Sequence, residues 1–207
     1  MGEKRQRNTI RQREAGAAAR AETRRRLIEA AGEEFGEHGY PAARVSRIAD
    51  RAGVSVQTLY LACGSKRELL RAHLSNVLYG GVPPGEYLAS RVQPAASTDV
   101  PEQVARVVRE IAERAGHAWL LYAGAAVVDP SVAEDWENLQ TLRRDTFEVL
   151  LAPIPDEDLR VLRSDAVDTA WTIASPETYN LLVRRAGYSL DRYQTWIATT
   201  LKAALLK

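Results

Sequence analysis

Apolar residues recur at intervals of three and four along the chain, and no strand-like alternation stands out, so the pattern predicts helices throughout. Leu27, Ile28, Ala31 and Phe35 mark a first helix that closes at His38-Gly39. Val45, Ile48 and Ala49 give a short second helix its apolar stripe, opposite Ser46, Arg47, Asp50 and Arg51. Gly53 stops that helix, because glycine can take the left-handed conformation that ends one and turns the chain. Ser55 restarts it as an N-cap, with Val54 and Leu59 placed as a hydrophobic staple that sets the approach angle. Ser65 and Glu68 form a capping box before Leu69, Leu70 and Leu74. The second and third helices therefore predict a helix-turn-helix. A head of about 50 residues is near the lower limit for an independent core, so packing against the rest of the chain is expected.

Beyond the head, residues 80–98 hold three glycines and three prolines and are predicted to be a loop or connection. Val104, Val107, Val108, Ile111 and Ala115 mark one helix; the run 118–128 is apolar nearly all round, which predicts a helix surrounded by others and ended at Asp129-Pro130. Val132, Trp136, Leu139, Phe147, Leu150 and Leu151 mark another, ended by Pro153 and Pro155. A further helix is predicted over 158–174, its acidic start at 156–158 suiting a positive dipole end. Ser175-Pro176 and Gly187 break the chain before a last stripe through Tyr193, Trp196, Ile197, Thr200, Leu201, Ala204 and Leu205.

The net charge of +1 hides an asymmetry: residues 1–73 carry 15 Lys or Arg against 9 Asp or Glu, and the remainder is net acidic. The basic end is the candidate nucleic-acid end. Much of that excess lies in a leader expected to be disordered, either a solvated tail or an arm that adds DNA contacts beside the head. No apolar run approaches the roughly 18 residues of a membrane span, and no signal-peptide pattern opens the chain, so no membrane partner and a cytoplasmic location are expected. The lone Cys63 allows no internal disulfide.

The landmarks Ala31 to Phe35, Gly39-Tyr40, Ile48-Ala49, Ala52-Gly53-Val54-Ser55, Thr58-Leu59-Tyr60 and Gly64-Ser65-Lys66 with Leu69-Leu70 resemble the tetracycline-repressor (TetR) family of bacterial regulators across roughly residues 23–75. The resemblance implies an all-α protein: a basic arm over 1–19, a three-helix helix-turn-helix DNA-binding head over 20–75, and a helical effector-binding and dimerisation domain over 76–207. Two positions depart from the family pattern. Arg44 stands where a phosphate-contacting threonine is usual, and Ala62-Cys63 where an aromatic or histidine and then phenylalanine are usual.

On this reading double-stranded DNA is one partner. Ser55, Val56, Gln57, Thr58 and Tyr60 lie on or near the outer face of the reading helix. Gln57 can pair with the N6 and N7 edge of adenine, and Val56 or Thr58 can pack on a thymine methyl. Arg24, in the basic leader, and Arg44, Arg47, Tyr60 and Lys66 are the candidate backbone contacts that set register and the salt-dependent part of affinity. Gln57 and Thr58 could instead be plain polar surface. One short helix reads too few base pairs, so a homodimer presenting two such helices about 34–36 Å apart to a pseudo-palindrome is expected. Its seam is assigned to Tyr193, Trp196, Ile197, Thr200, Leu201 and Ala204 with Leu159, Leu162 and Ala166; the alternative is burial within one subunit.

Trp119, Tyr122, Trp136, Phe147 and Trp171 could line a pocket for a small, largely apolar effector, although aromatics at helical spacing also make ordinary core. The expected function is a sequence-specific regulator, a repressor released by that effector. The alternative is a regulator with no small-molecule effector, controlled by a protein partner or by abundance. The enzyme class finds no footing: His38, His73 and His117 have no zinc spacing, and no Walker loop, dinucleotide glycine motif or nucleophile elbow is present. No cofactor or metal is expected.

Overall fold

The computed structural model describes the backbone of residues 2–91 and 95–207, and the side chains of residues 11–83, 85–87, 89–91 and 95–207. Among these residues every regular element is helical, and the chain divides into two compact units between Leu74 and Ser75.

In the first unit, α1 (Gly2–Ala42) breaks at Gly39, whose φ of 71° is open to glycine and strained for other residues. Then come α2 (Val45–Arg51), α3 (Val56–Cys63) and the start of α4 (Lys66–Tyr79). Leu27, Ala31, Phe35, Ile48, Leu59, Leu69 and Leu70 are sealed from solvent and form the core. The turn between α2 and α3 follows the expected chemistry. Gly53 sits at φ 66°, the Val54 amide donates to the Ala49 carbonyl at 3.0 Å, and the Ser55 hydroxyl accepts from the Thr58 amide at 3.1 Å. Ser65 likewise accepts from the Glu68 amide at 3.1 Å at the start of α4. The leader differs from its expectation of disorder, for α1 is helical from Gly2. Its alanine-rich stretch has high intrinsic helix propensity, and Arg25 pairs with Glu22 at 2.6 Å and Glu29 at 2.5 Å along one face.

The second unit holds α5 (Pro84–Ala89), α6 (Val100–Val128), α7 (Pro130–Leu151), α8 (Arg163–Ile173), α9 (Pro176–Tyr179) continuing as a π-type turn over Asn180–Arg185, and α10 (Leu190–Leu205). The loop expected over 80–98 thus contains α5 and a 3-10 turn at Ser97–Asp99; Val92, Gln93 and Pro94 lie outside the described residues. α6 packs against α7 and α10, and α8 against the same two. The run 118–128 is not surrounded as expected. Ala118, Trp119, Tyr122 and Ala125 are buried on one face, whereas Val127 stays 85% and Val128 58% exposed, so the run is covered on one face only.

Two corrections concern the expected dimer seam. The helix predicted from residue 158 starts at Arg163: Asp156–Asp158 form a 3-10 turn, and Leu159 runs extended, bridging antiparallel to Leu206. The Arg160 amide donates to the Leu205 carbonyl at 2.7 Å and the Lys207 amide to the Asp158 carbonyl at 3.1 Å, so the C-terminal end is tied across this segment. The stripe on α10 is real, but its own chain covers it. Leu159, Ala166, Tyr193, Ile197 and Leu201 are buried in the core of this unit and cannot also form a seam with another copy. Of the assigned residues, Leu162 is 73% exposed, and Trp196, Thr200 and Ala204 are half-buried. Among the described residues no helix is long and apolar enough to cross a membrane.

Candidate nucleic-acid interface and ligand cavity

The outer face of α3 follows from its cap. With Ser55 fixing the first turn and Leu59 and Cys63 turned into the core, Val56, Gln57, Tyr60 and Leu61 are left exposed on the opposite face. Leu61, 83% exposed, was not singled out from sequence; its place beside Gln57 and Tyr60 one turn on was the available signal. Thr58 is half-buried, and its hydroxyl lies 2.9 Å from that of Ser55, so the cap engages the polar ends of both. What they still offer a base edge is chiefly the Thr58 methyl.

The candidate backbone contacts separate into free and engaged groups. The Arg44 side chain is exposed, and only its backbone amide is held, donating to Glu34 at 2.9 Å. Arg24 donates to the Ala62 carbonyl at 2.9 Å, tying α1 to the end of α3. Lys66 reaches the Pro41 carbonyl at 3.4 Å and lies 4.6 Å above the Tyr40 ring. Arg47 is the most engaged. It donates from Nε to Glu34 at 2.6 Å and from Nη2 to the Ala42 carbonyl at 3.1 Å, which makes it the counter-ion of a buried carboxylate.

Glu34 itself reads as helix surface beside Glu33, yet its side chain is 0% exposed. It lies seven residues after Leu27 and three after Ala31, on the core face of α1, and Arg47 and Arg51 at i, i+4 on α2 were the sign of its partners. Arg51 approaches Glu34 at 3.8 Å and also binds Glu37. Burial pushes the Glu34 carboxyl up, but the hydrogen bonds from Arg47 and the Arg44 amide, with the charges of Arg47 and His38, outweigh it and hold the group below its ordinary range. Glu37 is held low by its bond to Arg51. Glu34, Glu37 and His38 bring ligand atoms within 4.8 Å of one another, but both carboxylates already serve arginines, so the cluster is an ion-pair network locking α1 to α2.

A pH dependence follows. Carboxyls lower in the folded than in the unfolded state contribute stability that is present above their unfolded pKa and lost as pH falls through the folded value. The head is therefore expected to hold constant stability from pH 8 to about 6 and to weaken steadily below about pH 4.5. Urea unfolding followed by circular dichroism at stepped pH checks this; stability unchanged down to pH 3 would remove the network's role.

In the second unit a cavity of about 100 Å³ opens among α4, α6, α7, α9 and α10. Val107, Ile111, Trp119, Phe147 and Leu150 supply apolar wall, and Arg143, Tyr179 and Tyr193 supply polar groups. Of the five aromatics expected to line a pocket, Trp119 and Phe147 do. Tyr122, Trp136 and Trp171 do not: Trp136 packs on Trp119 at 5.1 Å and stacks on Tyr122 at 6.1 Å, while Trp171 lies 5.0 Å from the Arg143 guanidinium. Arg143 and Tyr193 were missed as cavity residues, since Arg143 sits in a polar run and Tyr193 in the α10 stripe. Burial pushes the Arg143 guanidinium down to about 10, against the pull of Glu177 and Tyr193. Gly116 makes the close approach possible: a Cβ there would stand 2.8 Å from the Tyr179 ring. The last two residues of α4, Leu78 and Tyr79, also line the cavity.

Residues 27–73 match the family described as bacterial regulatory proteins, tetR family. The chain carries a TetR-family head. Within the matched stretch lie the turn at Gly53, both serine caps and the exposed face of α3. The HTH-type transcriptional activator FasR of Mycolicibacterium smegmatis is 46% identical over 65 residues, which cover 30% of this chain and 30% of the relative. At the level of fold, the TetR-type arrangement extends over most of the chain. NalD of Pseudomonas aeruginosa, described as the secondary repressor of the MexAB-OprM multidrug efflux pump, superposes with a TM-score of 0.70 at 17% identity, covering 91% of this chain and 98% of that one. SmeT, solved as its triclosan complex, gives 0.71 at 20% identity, covering 89% and 92%.

Proposed function

We propose that this chain is a transcriptional regulator that works in the cytoplasm as a homodimer, each TetR-type head placing α3 in a major groove of a pseudo-palindromic operator. The observation that carries the reading is the capped, glycine-turned α3 in a TetR-family head, with Val56, Gln57 and Tyr60 free on its outer face. Gln57 reads bases, while Arg44 and Tyr60 meet phosphates. Leu162, Trp196, Thr200 and Ala204 remain for the seam between copies. An effector acts from the cavity in the second unit, whose wall includes the end of α4. A ligand that prefers a shifted α4 changes the spacing of the two reading helices and releases operator, and a coupling of about 1–3 kcal/mol suffices. The expected outcome in the cell is repression lifted by ligand. Activation is the second reading, favoured by the 46% identity over 65 residues to FasR, an activator by name.

Selection of bound duplexes from a random pool tests this directly. A palindrome with half-sites one helical turn apart is expected, together with a sedimentation coefficient of two copies. A protein that stays single, or that enriches no sequence, would sink the proposal. Replacing Gln57 with alanine is expected to cost about 1–3 kcal/mol per half-site on the selected operator and to change little on unrelated duplexes. Replacing Arg44 with alanine should weaken all duplexes alike and lower the salt slope by about one unit per head. Fluorescence anisotropy across a salt series separates the two; identical behaviour of both variants would end this division of roles.

A further inference from the structure

The cavity has an electrostatic feature that a purely apolar ligand would leave unmet. Arg143 donates from Nε to Gln140 at 3.2 Å and from Nη1 to the Trp171 carbonyl at 3.0 Å, both neutral acceptors. Its guanidinium lies 5.9 Å from the Trp119 ring and 5.0 Å from the Trp171 ring. Among the described residues no carboxylate comes within ion-pair distance of it, and no Asp or Glu lines the cavity. Glu177 influences it electrostatically but stands exposed on α9. Two further donors on the same wall lack acceptors: the Tyr193 hydroxyl, on a side chain 0% exposed, and Trp119 Nε1. A half-buried cation without a counter-ion and two stranded buried donors are costly unless something accepts from them.

Building on the reading of this cavity as the effector site, we propose that its ligand is a small monocarboxylate whose anionic head is received by Arg143 and the Tyr193 hydroxyl. The chemistry of the wall sets the class. A carboxylate supplies charge for Arg143 and lone pairs for Nη2 and the phenol at once, which a neutral amide or an alcohol does only in part. A cationic ligand would meet Arg143 with like charge and no acidic wall. Size sets the rest. An apolar cavity of about 150 Å³ takes benzene, so about 100 Å³ suits a short alkyl chain, with no room for a ring or a long acyl tail inside it.

The test uses the full-length protein without DNA, by calorimetry and by tryptophan fluorescence, with Trp119 in the wall as reporter. Propanoate, butanoate and pentanoate are compared with their primary amides at up to about 10 mM. At least one acid is expected to bind at least about tenfold more tightly than its amide, the effect of one hydrogen bond to a charged group. Arg143→Met should abolish that preference, Arg143→Lys should keep part of it, and Tyr193→Phe, which retains the ring, should weaken the acid several-fold and leave the amide alone. Amides matching acids on the native protein, no acid binding at all, or a preference that survives Arg143→Met would overturn the inference. Its failure is distinguishable from that of the regulatory reading. An acid that binds without altering operator affinity leaves this assignment intact and ends ligand release. A neutral compound that binds the cavity and releases operator while acids do not bind does the reverse.

Discussion

Replacing Leu201 with alanine is expected to destabilise the helical body by about 4 kcal/mol, and by the same amount at every protein concentration. Leu201 is 0% exposed within its own chain, on the face of α10 that packs against α6 and α8. Truncation there removes buried methyl groups and leaves a cavity that rigid helices on both sides cannot close. The neighbouring Trp196 and Thr200 are half-buried on the same helix, and on the proposed seam their replacement is expected to act on association. Urea unfolding at two protein concentrations a hundredfold apart separates these cases. The difference between native and Leu201→Ala midpoints should be equal at both concentrations, while Trp196→Ala should shift the monomer–dimer balance in sedimentation. A Leu201→Ala penalty that vanished on dilution would return that residue to the seam.

Arg47→Ala has the second largest expected effect, a loss of about 3 kcal/mol from the head, at the low end for a broken buried pair because Arg47 is itself partly exposed. Glu34 would keep the Arg44 amide at 2.9 Å and Arg51 at 3.8 Å, too little to offset the desolvation of a fully buried charge. Its carboxyl would rise toward the ordinary range or above, so the acid weakening of the head should begin at higher pH than in the native protein. Adding Glu34→Gln should recover about half the loss, since the glutamine oxygen still accepts from the Arg44 amide and no charge is stranded. Thermal unfolding of the single and double variants measures this. If Arg47→Ala melts with the native protein while operator affinity collapses, Arg47 is a phosphate contact after all and the pair with Glu34 is incidental.

The features that were legible in the sequence are those whose signal lies within one or two helical turns. Gly53 and the caps at Ser55 and Ser65 act on backbone groups a few residues away, and the structure places each as spacing predicted. The start of α8 was misplaced because an acidic run suits either a helix N-terminus or a 3-10 turn. Only the pairing of Leu159 with Leu206, 47 residues on, decides between them. Glu34 was missed for a related reason: beside Glu33 and Glu37 it reads as solvated surface until α2 brings Arg47 and Arg51 against it.

The stripe on α10 shows where the boundary falls. Periodicity alone established that Tyr193, Ile197 and Leu201 must be covered, because apolar area at that spacing on one face is removed from water by something. What covers them is a long-range matter, settled by α6 and α8 of the same chain. The cavity belongs wholly to this second kind. Arg143 on α7, Trp119 on α6 and Tyr193 on α10 share no local pattern, and that no acid among the described residues lines the cavity beside Arg143 is a property of three helices at once. Caps, turns and stripes are thus determined by the chain's own short-range order, whereas partners and cavities are decided by tertiary packing, since burial free energy depends on area covered and not on which segment covers it.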